Sequence, residues 1–191
     1  MSELSFLQLV RADIEATTHP NFRNYSNRRF WLRAIAKLVI TPAVRVVVMY
    51  RISHVLAGKG LLPVALLIRA RGIRVSGAEL HPQATVGPGL YLPHSIGAGF
   101  GAYTTIGANC TLQAGAAVGP QPHGADERLY TTVGDNVYIG LHAVIIAGVT
   151  IGDGAVIGAN AVVMRDVDPY TVIAASPGRV VAKRPEDSRA S

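Results

Sequence analysis

Cysteine is nearly absent: Cys110 is the single one in 191 residues. No disulfide can form within the chain, which excludes a small secreted scaffold held by bridges. Cys110 then reads as a small core residue. Aromatic residues make up only 6% and charged residues 16%. A clean apolar run of about 18 residues, the length that spans a bilayer as a helix, is also missing. The two most apolar stretches, between Ala34 and Leu67, are broken by Lys37, Pro42, Arg45, Arg51, His54 and Lys59. Met1 to Ala12 lacks the basic start and continuous apolar core of a signal peptide. The expectation is a cytoplasmic protein.

Acidic residues are scarce in the first part. Residues 1–75 hold 12 of the 18 Lys and Arg but only Glu3, Asp13 and Glu15 as acids, a balance of +9. Residues 76–191 hold six basic and nine acidic residues, a balance of −3. A basic segment of this kind suits nucleic acid, a membrane surface, an anionic acceptor or simply a solvated face. The reading adopted is no nucleic acid, with a position peripheral to a membrane left open.

What is present is aliphatic and glycine-rich: 49% hydrophobic residues and 20 Gly. That excludes disorder, which needs low hydrophobicity and high net charge. Residues 1–75 read as an N-terminal helical region, with helices over Leu4–Thr17, Phe30–Ile40, Val44–Leu56 and Leu61–Arg71, the last stopped by Gly72.

The pattern then changes to a six-residue period. Aliphatic or aromatic residues recur at Leu80, Val86 and Leu92. They resume at Phe100, Ile106, Leu112 and Val118, and again at Val133, Ile139, Ile145, Ile151, Ile157 and Val163. Gly often follows at once, as in Val86-Gly87, Ile106-Gly107 and Ile139-Gly140. Six residues make one flat face of a triangular coil, and the aliphatic points inward onto its equivalent three hexads later. The expectation for the following Gly is a corner with unusual φ. Small or β-branched residues two places earlier, such as Ala84, Thr104, Ala143, Val149 and Ala155, complete the interior. Thirteen hexads give roughly four coils, enough for an independent solenoid. The fold class is mainly β: a parallel β-helix over 76–181, preceded by the helical region 1–75 and followed by a tail, 182–191.

Two breaks interrupt the strict repeat, and insertions in a solenoid map to loops, often on the binding face. One adds two residues around His94-Ser95-Ile96-Gly97. The other adds nine around Pro120 to Tyr130.

Several segments resemble the left-handed β-helix acyltransferase superfamily, and within it the serine acetyltransferase branch. Glu79-Leu80-His81-Pro82 is similar to that branch's acidic-Ile-His-Pro start. Leu92-Pro93-His94-Ser95 falls where the branch carries its catalytic His. Ser176-Pro177-Gly178-Arg179-Val180 resembles its closing motif, and Tyr50-Arg51-Ile52-Ser53-His54 the end of its N-terminal domain. The resemblance implies acetyl-CoA as co-substrate, lying in a cleft between β-helices of a homotrimer or a dimer of trimers. It implies His94 as the general base, a task that imidazole chemistry suits near neutral pH, and Glu79 as the carboxylate that orients it. By position it places Gly119, Gly140, Ala147 and Ala159 along the pantetheine arm. Arg179, Lys183 and Arg184 would meet the CoA phosphates, where Arg offers paired donors.

The acceptor side departs from the branch. Pro93 stands where an Asp contacts the serine amino group, and His19-Pro20 where an Asp-Pro is found. The long loop keeps Arg128, followed by Leu129 and Tyr130, in place of an Arg-His-Pro. Gly119-Pro120 replaces Gly-Gly. His19, His123, Arg128 and Tyr130 are therefore the candidate acceptor-binding residues, and the acceptor expected is a small-molecule or saccharide hydroxyl. Serine O-acetylation with an altered pocket and a non-catalytic scaffold are the alternatives. No metal is expected; a metal-dependent reading would need His81, His94 and His142 to converge between subunits. His54 is taken as structural.

Overall fold

Local signals at the N-terminal end fix the first helix. The computed structural model describes residues 4–17, 27–121 and 129–175. Helix α1 (Phe6–Ala16) opens on a capping box: the Ser5 hydroxyl accepts from the Gln8 amide, and the Gln8 side chain accepts from the Ser5 amide. Helices α2 (Asn27–Ile40) and α3 (Pro42–Gly58) are split at Thr41, with Pro42 starting α3 where its missing N–H costs no helical bond. Helix α4 (Leu62–Ser76) runs past Gly72, contrary to the expected stop. Gly72 is buried mid-helix because a side chain there would press on Val46 at 3.2 Å. The helix ends instead at Gly77, whose φ of 70° makes the left-handed cap.

From Glu79 the chain winds into coils of short strands. These are β1 (Glu79–Leu80), β2 (Thr85–Val86), β3 (Gly99–Phe100), β4 (Thr104–Ile106), β5 (Thr111–Leu112), β6 (Ala117–Val118) and β7 (Thr131–Val133). Then come β8 (Tyr138–Ile139), β9 (Val144–Ile145), β10 (Thr150–Ile151), β11 (Val156–Ile157), β12 (Val162–Val163) and β13 (Val172–Ile173). Among the described residues all pairings are parallel, in three sheets: β1-β3-β6-β9-β12, β2-β4-β7-β10 and β5-β8-β11-β13. This is a left-handed parallel β-helix with N-terminal helices. Register follows the sequence period: Leu80 faces Phe100, Phe100 faces Val118, and Val118 faces Ile145. Thirteen of thirteen period-six residues are buried, and they stack into one continuous core. Each such side chain contributes about 1.5–3 kcal/mol. Cys110 lies in the same core, where burial pushes its thiol up to about 11.

Gly119, after Val118, has the expected positive φ, at 75°, but the other glycines after the aliphatics have a different job. Gly87, Gly107 and Gly140 have no positive φ. A Cβ on Gly107 would lie 2.6 Å from the carbonyl carbon of Gly134, and one on Gly140 would lie 2.7 Å from the Ala159 amide nitrogen. They are small because the next coil's backbone passes directly above. The left-handed corners fall two residues later, at Gly115, His142 and Asn160 on one edge and at Gly89, Asn109, Asn136, Gly154 and Tyr170 on another. Gly and Asn tolerate that region best, so the His and Tyr are the unusual occupants.

The motif Tyr50 to His54 clamps α3 onto the first coil. The Tyr50 hydroxyl donates to the Ala84 carbonyl at 2.8 Å, the Arg51 guanidinium to the carbonyls of Val86 and Gly87, and His54 Nδ1–H to the Pro82 carbonyl at 2.9 Å. Ala43, Val46, Val47 and Tyr50 thereby close the open end of the coil interior.

Candidate active site

His94 sits in the corner loop between Tyr91, which bridges to Thr111 of β5, and the strand β3. Two neighbours pin that loop. The buried Ser95 hydroxyl donates to the Ser76 carbonyl at 2.9 Å, and the Gly97 amide donates to the Gly77 carbonyl at 2.9 Å. The end of α4 therefore sets the position of His94, whose own side chain is exposed. It borders an open groove of ≈ 470 Å³ whose other wall is Thr41, Pro42 and Ala43, the junction between α2 and α3. Among the described residues the His94 ring has no hydrogen-bond partner, which leaves both nitrogens accessible to an incoming molecule.

Glu79 faces outward from β1, and its carboxylate accepts from Arg69 on α4. It borders a second groove, of ≈ 340 Å³, floored by the small residues Gly97, Gly99, Gly101 and Ala117. The two grooves share Gly77. Glu79 and His94 thus occupy adjoining grooves, with the carboxylate held by Arg69. No sequence signal pointed to Arg69: the pair is ten positions apart and depends on how α4 turns into β1. The contacts made by Ser95, Ser76 and the Thr41–Ala43 wall carry no sequence signal either, because each acts through tertiary structure.

His81 is half-buried. Burial lowers its pKa from the ordinary value, the nearby Arg69 lowers it further, and Glu79 opposes both. Its Nδ1 accepts from the Gln83 amide at 3.3 Å, a turn contact at the start of the first coil. His142 is exposed at φ 54°, with its ring lying over Gly115, where a Cβ would run into the imidazole. His54 is engaged with Pro82 as above. Among the described residues no group of three His, Cys, Asp or Glu side chains converges as a metal-holding set.

The positions expected along CoA fall into two pairs. Gly119 and Ala147 lie together at one corner, where the Ala147 amide donates to the Pro120 carbonyl; Gly140 and Ala159 stack at the corner that also carries His94. The amides of Gly119 and Gly140 donate to the carbonyls of Ile145 and Ile157, so these positions offer close approach rather than free donors. Tyr130 is exposed and stacks edge-on against Tyr103 at 5.4 Å, at the Gly119 corner. His94 and Tyr130 therefore stand at different corners of one prism. His19, His123, Arg128, Arg179, Lys183 and Arg184 lie outside the described residues.

The family model for the hexapeptide repeat of succinyl-transferase matches residues 130–165. A probable serine acetyltransferase 5 of Oryza sativa subsp. japonica is 36% identical over 135 residues, covering 71% of this chain and 39% of that protein. The chain thus spans well under half the length of that relative. Soybean serine acetyltransferase complexed with serine aligns at a TM-score of 0.77 with 27% identity, covering 94% of this chain and 71% of that one. A serine acetyltransferase in complex with CoA aligns at 0.74 with 25% identity, covering 93% and 70%.

Proposed function

We propose, for a chain that belongs to the hexapeptide-repeat acyltransferases of the serine acetyltransferase-like branch, that it transfers the acetyl group of acetyl-CoA to a hydroxyl of a small acceptor. What carries this is His94: an exposed imidazole on a corner loop pinned at Ser95 and Gly97, beside an open groove. The imidazole takes the proton of the acceptor hydroxyl as the oxygen attacks the thioester carbonyl. The tetrahedral intermediate then expels the CoA thiolate, which recovers the proton from the imidazolium. The products are the acetyl ester and free CoA. Glu79 is the proposed orienting carboxylate. In the free chain it is bound to Arg69, so pairing with His94 requires it to leave that partner.

Acetyl-CoA is the proposed co-substrate, and a solved relative holds CoA. Gly119, Gly140, Ala147 and Ala159 would let its pantetheine arm approach the coils closely, with Arg179 and Lys183 at the phosphates. The split of the site residues between two corners supports assembly as a homotrimer, in which a corner of one copy meets a different corner of the next. A cytoplasmic location is part of the same reading.

Two acceptors compete. The relatives bearing the serine acetyltransferase name put the weight on L-serine. A sugar or other metabolite hydroxyl, the acceptor expected from the sequence, keeps one specific support: Pro93 beside the base carries neither a charge nor an N–H with which to hold an amino acid's ammonium or carboxylate. The deciding measurement is thiol release from acetyl-CoA against L-serine, free sugars, nucleotide sugars and hydroxylated metabolites, with His94→Ala in parallel. Turnover of serine lost in His94→Ala establishes the first acceptor, and turnover of a sugar or metabolite so lost establishes the second. No His94-dependent turnover with any of them would overturn the enzymatic reading and leave a binding scaffold.

A further inference from the structure

Helix α2 has two apolar faces, and the described residues cover only one. Phe30 and Ala34 are buried against Val10, Ile14 and Val44, with Trp31 and Leu38 packed at the edge. On the other side Leu32, Ile35 and Val39 follow at helical spacing, with Ile40 beside them, and they are 63%, 63%, 70% and 76% exposed. The helix is held firmly in this pose. Arg45 donates to the carbonyls of Leu38 and Val39 at its C-terminal end, and the Lys37 ammonium to the Thr17 carbonyl. An exposed contiguous aliphatic stripe on an ordered helix marks an interaction surface.

Charge selects the partner. From residue 16 to residue 78 there is no Asp or Glu at all, while eleven Lys and Arg occur. Helix α2 carries Arg28, Arg29, Arg33 and Lys37 and no acid. Helix α4, with exposed Val64 and Leu67, carries Arg69, Arg71 and Arg74 and no acid. Two copies meeting through such surfaces would bring like charges together. A nucleic acid would match the positive balance of this region and leave the aliphatics in water. An anionic lipid surface satisfies both, since aliphatics enter the acyl boundary while cations meet the headgroups. Among the described residues no helix is long and apolar enough to cross a membrane, so contact would be peripheral.

We infer that the exposed stripe Leu32, Ile35, Val39 and Ile40 of α2 docks this chain on an anionic bilayer surface. The stripe runs directly into Thr41, which walls the His94 groove. Docking therefore places that groove at the edge of the lipid surface. On the reading of His94 as the acyl-transfer base, and only on it, acceptors presented at a bilayer gain access to the site.

The test is flotation of the full chain with vesicles of phosphatidylcholine alone and of phosphatidylcholine mixed with phosphatidylglycerol. The expected result is flotation with the anionic vesicles only, weakened by added salt. An Ile35→Ser, Val39→Ser double variant should lower the partition by roughly tenfold or more, since two buried aliphatic contacts are lost. Both positions are solvent-facing, and circular dichroism checks that the fold is kept; Val172→Ser, exposed on the last strand, should float like the wild type. Failure to float with anionic vesicles, or flotation indifferent to the double variant, overturns the proposal. So does a double variant that breaks a larger oligomer while vesicles are ignored, which would give the face to a second copy. Running His94→Ala in the same assay keeps the two readings separate, because docking should survive that change whatever becomes of activity.

Discussion

Asp13 on α1 and Arg51 on α3 form a two-point ion pair inside the protein, with Nε to Oδ2 at 2.8 Å and Nη2 to Oδ1 at 3.0 Å. Oδ1 also accepts from the amides of Gly89 and Leu90 at 2.9 Å each, so the pair stitches two helices to the first coil. Both side chains are 3% exposed. Arg51→Met should destabilise the protein by about 3–5 kcal/mol, because it leaves the carboxylate buried without its counter-charge. Asp13→Leu combined with Arg51→Met should cost less than Arg51→Met alone, since no lone charge remains. Urea unfolding of the wild type, Asp13→Leu, Arg51→Met and the double variant checks this; a double variant as unstable as the sum of the two single changes would show that the pair does not act as a unit.

The same carboxyl gives a pH dependence of defined sign. Burial lifts Asp13 above its ordinary 3.8, outweighing Arg51 and the two amides, which pull it down. Between 3.8 and the higher folded value, the native chain holds a proton that the unfolded chain has released. The stability owed to this group is therefore full below 3.8 and falls as pH rises through the folded value. Asp13→Asn cannot titrate and should lack that part of the slope. Denaturant midpoints across the acid range, wild type against Asp13→Asn, will show whether the slopes differ in this sense.

The solenoid was open to reading because its core repeats in sequence at the same period as in space. Each inward residue from Leu80 to Val163 is set by a six-residue count that needs no knowledge of the partner coil. Gly107 was harder. Its size is dictated by Gly134, which lies above it only after the long loop is crossed, so sequence shows the glycine and not the reason. The corner residues were missed on the same ground: Asn109 and His142 differ in type and share only a backbone conformation. At the site, the break in the repeat singled out His94. The Arg69 contact to Glu79 depends on α4 running past Gly72 to Gly77, whereas the sequence pattern places the stop at Gly72.

That account of Gly107 is open to a direct check. Gly107→Ala places a methyl against the Gly134 backbone and should destabilise by about 1–3 kcal/mol, as other over-packed interiors do. Gly58→Ala, at the end of α3 with nothing within 4 Å, should be neutral or stabilise by up to about 1 kcal/mol through helix propensity. Thermal unfolding of the two variants should move in opposite directions or leave Gly58→Ala unchanged. If both fell equally, close stacking of the coils would not be the cause.

Arg69 and Glu79 give the last prediction. The pair is partly exposed, at 24% and 61%, and an exposed pair of this kind is worth about 1 kcal/mol or less. If the Glu79 carboxylate orients His94 during acyl transfer, Arg69 is its competitor. Arg69→Met then frees it and should raise kcat by up to roughly fivefold, the ratio that about 1 kcal/mol represents. Glu79→Gln should lower kcat, because the imidazolium formed as His94 takes the acceptor's proton loses a neighbouring negative charge. KM for acetyl-CoA should hold in both, since neither side chain is placed along the pantetheine arm. A loss of kcat in Arg69→Met as large as that in Glu79→Gln would reverse the assignment. Arg69 and Glu79 would then act together, holding the entry of the first coil, and His94 would work without a carboxylate partner.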